Sequence, residues 1–255
     1  MADTLDLATF SAAYANRFVL ALVRILAALS LNPFLGASRV PMPARIGLAI
    51  FVTFILFPPG APAAQVTVGI TEVIGEVLIG LAAGFAITLI FFAAQFAAGL
   101  IGVNAGFSQA AIVDPFFDGG SGVLERFFSA FTMVVFVKIN GHHLFLVGLQ
   151  ELFTLVDVGA ARLPTGGATA VTALLAGVFS AGVKMALPVL AALLLTDIAL
   201  AILAKVAPQF NLLAVGMPLK LIVGLAALLV ALPVIVPRMT ALFRMVPAGM
   251  SGLAG

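Results

Sequence analysis

Residues Gly75–Gly106 read GEVLIGLAAGFAITLIFFAAQFAAGLIGVNAG, and this stretch decides the fold. From Val77 to Val113, 37 consecutive residues carry no charge. Apolar side chains do not alternate with polar ones at period two, as they would in a half-buried strand. In such apolar surroundings the backbone must satisfy its own hydrogen bonds, so the stretch is read as helix. One face stands out. Gly80, Gly84 and Thr88 step by four, and Gln95, Gly99, Gly102 and Gly106 step by four, three and four. They form a narrow small-and-polar stripe flanked by Phe and Leu, in which Gly80 and Gly84 make a GxxxG. Such a stripe lets two helix backbones approach closely. The neighbour is either another chain or another part of the same fold.

The rest of the chain has the same character. Of its 255 residues, 63% are hydrophobic and 9% charged, against about 25% charged in soluble domains. Polar side chains are too few to clothe a water-soluble globule, so the chain spans a bilayer or buries its surface against other proteins. Its length would hold about six or seven helical spans of ~20 residues. The absence of cysteine removes disulfide and thiolate chemistry. A net charge of +2 without a basic cluster gives no reason to expect nucleic acid as a partner. The start, MADTLDLATF, holds two acids and no base, unlike a cleavable signal peptide, so the first apolar segment is expected to stay in the protein.

Apolar runs predict helices at about 9–32, 44–58, 68–104, 122–139, 141–156, 168–206 and 211–246, an all-α protein. Proline and glycine punctuate them. Asn32–Pro43 (NPFLGASRVPMP) and Phe57–Gln65 (FPPGAPAAQ) read as loops, Arg162–Thr169 (RLPTGGAT) separates the halves, and PQFN at 208–211 marks a tight break within a helical hairpin. The runs 68–104 and 168–206 are too long for one ordinary crossing and too short for two.

Charges inside these runs are costly in a bilayer, at least about 2.5–3.5 kcal/mol each at its centre. Lys184, Asp197, Lys205 and Lys220 are therefore expected to be buried against protein or along a water-filled path. Asp197 should pair with Lys184, Lys205 or Lys220, of this chain or a neighbour, as a structural ion pair rather than a proton relay. Glu72 and Glu76, spaced i, i+4 at the start of the long helix, are explained by its dipole. His142 and His143 follow Asn140-Gly141 at a turn and do not form HExxH. With no GxSxG, P-loop or paired intramembrane aspartates, the chain is read as a non-enzyme without catalytic, cofactor-binding or metal-binding residues.

Several stretches then combine: PARIGLAI (Pro43–Ile50), GEVLIGLAAGF (Gly75–Phe85), NAGFSQAAIVDP (Asn104–Pro115), NGHHLFL (Asn140–Leu146), Ala186–Lys220 with its APQ and GMPLK, and GLAALLVALP (Gly224–Pro233). Their order resembles the FliR family, subunits of the bacterial flagellar type III export gate, over roughly residues 10–240. The chain departs from that pattern at Asn104-Ala105-Gly106, where FliR-like chains usually carry Gln-Met before the glycine. The resemblance implies one FliR-like domain over 1–255. It further implies assembly with FliP-like and FliQ-like subunits, an FlhB-like neighbour, and unfolded flagellar proteins as cargo. The place would be the bacterial inner membrane, within the flagellar basal body. The corresponding injectisome subunit is the near alternative, and a small-molecule secondary transporter a distant one.

In this family the segment matching Gly106–Gly122 is a loop that plugs the pore. Gly106, Gly119, Gly120 and Gly122 give it backbone freedom. Phe107, Phe116 and Phe117 can obstruct a narrow passage. Ser108 lies in the Gly-Phe-Ser turn, and Asp114 before Pro115 stops helix continuation. Gly80, Gly84, Gly99 and Gly102 are the expected helix-packing positions.

Overall fold

A computed structural model of the chain describes residues 2–33, 40–57, 66–107, 122–160, 167–207 and 212–252. All regular structure among them is helical: α1 (Ala2–Ser30), α2 (Met42–Leu56), α3 (Ile70–Ala105), α4 (Val123–Lys138), α5 (Gly141–Leu155), α6 (Gly167–Val206), α7 (Leu212–Arg244) and α8 (Val246–Gly252). The seven predicted runs are the seven longer helices, with ends that agree within a few residues except at the start. There α1 begins at Ala2, because Asp3, Thr4 and Asp6 do not break a helix. The short α8 was not anticipated.

Four helices are long and apolar enough to cross a membrane, α1, α3, α6 and α7, or five if α4 and α5 make one broken span. That break bends the axis by 71°. Its cause is Asn140, which adopts the left-handed conformation at φ 55°, where asparagine is tolerated better than most residues. By contrast α6 runs through Pro188, and α7 through Pro218, Pro233 and Pro237, without interruption. Each proline removes one backbone donor. Neighbouring turns and side-chain packing hold the helix.

The chain falls into two compact units: residues 1–89, 140–174 and 244–255, and residues 90–139 and 175–243. In the first, α1 and the opening half of α3 run parallel. Arg24 meets Glu76, Arg24 and Ala27 meet Gly80, Ala28 and Leu31 meet Gly84, and the Leu31 carbonyl accepts from Thr88 Oγ1 at 2.6 Å. The contact is so close that a Cβ at Gly84 would lie 2.5 Å from the Ala28 carbonyl oxygen, and one at Gly80 would overlap the Arg24 carbonyl. The first half of the stripe therefore packs inside its own fold. Tyr14, Phe18, Leu20, Ala21, Phe57, Val66, Val73, Phe153 and Val158 complete a core around α1.

In the second unit, the closing half of α3 meets α4 and α7, each running antiparallel to it, and also α6. Phe91 packs edge-on against Phe136 (5.9 Å) and Phe243 (5.7 Å). Phe179 of α6 stands edge-on to Phe92 and Phe96. Helices α6 and α7 form the predicted hairpin, since Leu200 faces Gly216, Asp197 meets Lys220, and Leu193 lies beside Gly224. The Arg238 guanidinium donates to the Lys184 carbonyl further along. The PQFN break itself lies outside the described residues.

Candidate functional site

Three groups of residues stand apart from ordinary apolar packing. The first is a clasp in the first unit. Arg24 and Glu76 are both fully buried. Arg24 Nε donates to Glu76 Oε2 at 2.5 Å and Nη2 to Oε1 at 3.1 Å. The remaining guanidinium donors reach the carbonyls of Val156 (2.9 Å) and Asp157 (3.4 Å). Glu76 Oε1 also accepts from the Gly159 N–H at 2.8 Å. Phe153 covers the guanidinium face, 4.7 Å from ring centre to Cζ. Gly159 has φ +84°, and a Cβ there would overlap Val66, so this turn demands glycine. One ion pair thereby joins α1, α3 and the turn after α5.

This corrects the helix-dipole account of Glu76, which lies in the second turn of α3 and exists for Arg24. Glu72 does sit in the first turn, accepting from Thr71 Oγ1. The clasp escaped sequence reading because its partners are 52 residues apart. The available signal was two ionisable residues, each inside an apolar helix and of opposite sign.

The second group is the two stems that flank residues 108–121. Gly106 ends α3 at φ +88°, with its N–H donating to Val103 O (3.3 Å) and Phe107 N–H to Gly102 O (2.9 Å). This double bond pattern around a left-handed glycine closes the last turn of a helix. On the other side Gly122 precedes α4, and Glu125 Oε2 accepts its N–H at 3.3 Å. Glu125 Oε1 would lie 3.2 Å from a Cβ on Gly99, and Leu124 Cβ 3.9 Å from one on Gly102. Gly99 and Gly102 thus face α4 more loosely than Gly80 and Gly84 face α1, and Gln95 is exposed. Of the expected plug residues, Gly106, Phe107 and Gly122 are described. Ser108, Asp114, Pro115, Phe116, Phe117, Gly119 and Gly120 lie outside the described residues.

The third group is the charges on the α6–α7 hairpin. Lys220 Nζ meets Asp197 Oδ1 at 2.6 Å, so of the three expected cations Lys220 is the partner. The pair is not buried within the chain, with side chains 25% and 44% exposed. Lys184 and Lys205 are exposed too. The described residues do not bury these groups. Around them the hairpin presents Leu194, Leu195, Ile202, Ile222, Leu229 and Val230, each at least 60% exposed.

His142 and His143 are exposed in the first turn of α5, after the bend. Among the described residues no three His, Asp or Glu side chains gather as a metal site would require.

These features coincide with what comparison finds. The sequence profile of a family described as "Bacterial export proteins, family 1" matches residues 15–246. The chain is 32% identical over 232 residues to the flagellar biosynthetic protein FliR of Escherichia coli (strain K12), covering 89% of this chain and 88% of that protein. It is 31% identical over 227 residues to FliR of Bacillus subtilis (strain 168), covering 86% of each. To FliR of Aquifex aeolicus (strain VF5) it is 28% identical over 230 residues, 89% of each. An all-helical chain with four or five helices of spanning length, matched along nearly its whole length, belongs to family 1 of the bacterial export proteins, the family that resemblance to FliR had indicated.

Proposed function

We propose that this chain is a subunit of the flagellar protein export apparatus of the bacterial inner membrane, at the basal body. It acts as one FliR-like domain over residues 1–255, assembled with FliP-like and FliQ-like subunits beside an FlhB-like one. Unfolded flagellar proteins pass through the resulting gate. The role is non-enzymatic, and the names carried by the relatives, flagellar biosynthetic proteins, agree with it.

The observation that carries this reading is the bare surface of α6 and α7. In each, only 22% of the apolar span is buried within the chain, against 61% in α3. Exposed apolar patches of this extent mark a surface made for lipid or other subunits. The exposed Asp197–Lys220 pair and Lys184 and Lys205 on the same hairpin favour subunits, since charges are costly against lipid tails.

The segment between Gly106 and Gly122 serves as the plug of the pore. Its support is the build of the stems. Gly106 closes α3 and Glu125 holds the start of α4, so the segment is bounded by two defined helix ends.

Co-expression with FliP-like and FliQ-like chains tests the assembly: a stable three-component complex is expected, and the isolated chain in liposomes should transport no metabolite. Recovery of the chain alone as an active transporter would overturn the reading. Deleting residues 107–121 should leave the complex intact and raise small-solute permeability of the membrane. A complex that stays sealed would remove the plug.

A further inference from the structure

Three arginines of the first unit are buried, and they differ in one respect. Arg24 is fully buried and uses its donors on Glu76 and the turn carbonyls. Arg17, 7% exposed, meets Asp157 Oδ1 at 3.6 Å and lies over the Phe57 ring. Arg45 of α2 is 9% exposed, its buried Nε has no hydrogen-bond partner, and no described carboxylate forms an ion pair with it.

We propose that Arg45 is the anchor for a carboxylate supplied by a neighbouring subunit, so that this guanidinium is paired only in the assembled complex. The inference rests on the reading of the chain as one subunit among several. A buried guanidinium N–H left without a partner is costly, the more so because the group is charged. Arg24 and Arg17 each meet a carboxylate inside the fold, although the Nε of Arg17, like that of Arg45, has no hydrogen-bond partner; of the three, Arg45 is the one with no ion pair among the described residues.

Among the described residues no free counter-charge faces Arg45. The connection from Leu31 to Pro41 contains no acidic residue. Glu76 and Asp157, which both face α1, are taken by Arg24 and Arg17. Glu72 holds Thr71, and Glu151 is exposed on α5.

The surface beside Arg45 suits a protein helix. Arg45, Ala49, Val52 and Thr53 form the buried face of α2, while Met42, Ile46, Ile50, Phe51 and Phe54 are exposed. An apolar helix laid on that face would bury these side chains and could extend one Asp or Glu towards the guanidinium. The planar fork of arginine pairs with a carboxylate through two parallel bonds. With only 9% of the residue accessible, the opening fits a side-chain carboxylate better than a phosphodiester carrying its glycerol.

This arrangement gives opposite signs in two measurements on Arg45→Met. In the isolated chain, removing an unpaired buried charge should raise the melting temperature in detergent. In the complex co-expressed with FliP-like and FliQ-like chains, the same variant should lower the assembled fraction by about tenfold or more, and Arg45→Lys should recover part of the loss. A lower melting temperature of the isolated variant would make Arg45 an internal structural residue and overturn the proposal. Unchanged assembly would overturn it as well. Retained assembly with loss of a bound phospholipid, read by native mass spectrometry, would assign the site to a lipid and overturn the carboxylate. The wild-type chain separates the two levels: its own failure to assemble sinks the functional reading, whereas loss of the variant contrast alone sinks only this inference.

Discussion

Helices α3 and α6 offer equally long apolar spans, 36 residues each, yet 61% of one and 22% of the other is buried in the chain. Apolarity alone does not distinguish them. The difference lies in what is small. In α3, glycines recur on one face, and Gly80 and Gly84 admit the backbone of α1 to a distance that no Cβ allows. In α6, Gly182 makes one such approach, to Ala93 and Phe96 of α3, but Gly177 has nothing within 4 Å of where its Cβ would be, and many exposed positions beyond Gly182 are leucine and isoleucine. Small residues in register mark where the chain packs against itself. Bulky residues without such a register mark where it leaves its apolar surface uncovered. The charges divide the same way, with Arg24–Glu76 served completely inside the fold and Asp197–Lys220 left half exposed.

The largest effect should come from breaking the clasp. Glu76→Ala strands a buried guanidinium and the Gly159 N–H, and should destabilise the isolated chain by about 3–5 kcal/mol, read from unfolding in detergent. Replacing Arg24 and Glu76 together by methionine should recover much of that loss, because no charge is then left unpaired. A single variant as stable as the wild type would erase the contrast between the two ion pairs.

Next comes the helix contact. Gly80→Val forces a side chain against the Arg24 carbonyl and Ala27, and should cost about 1–3 kcal/mol. Gly99→Ala meets only the end of the Glu125 side chain, which can move, and should stay within about 0.5 kcal/mol. Equal losses at both positions would mean that the stripe is uniform after all.

A smaller effect is expected at the exposed pair. Asp197→Asn should change the stability of the isolated chain by no more than about 1 kcal/mol, since its partners are solvated. The same variant should reduce assembly with partner subunits or secretion, measured by co-purification and by swimming in a strain that depends on this chain. Smallest of all, Ile222→Ala should shift isolated stability by no more than about 0.5 kcal/mol.

Much of this was legible in the sequence. Hydrophobic run length and proline-rich gaps placed seven helices, because in apolar surroundings the backbone has no alternative to internal hydrogen bonding. The stripe of Gly80 and Gly84 announced a close contact without naming its partner, since spacing defines a face but not what lies opposite. The pairing of Asp197 was foreseen, with Lys220 as one of three choices. Arg24–Glu76 was missed because local spacing explained Glu76 cheaply as a dipole effect, while its partner lay on another helix. Arg45 lies within PARIGLAI, and nothing in a sequence tells an arginine with an ion partner from one without.

The central claim is that the outer face of α6 and α7 is covered by other subunits rather than by lipid. The chain has no cysteine, so single cysteines at Ile222 and Val230, 67% and 79% exposed, can carry a photoactivatable cross-linker. In membranes containing FliP-like and FliQ-like chains, the account predicts adducts with those chains at both positions. Adducts with phospholipid alone, in the same yield whether or not the partners are present, would contradict it.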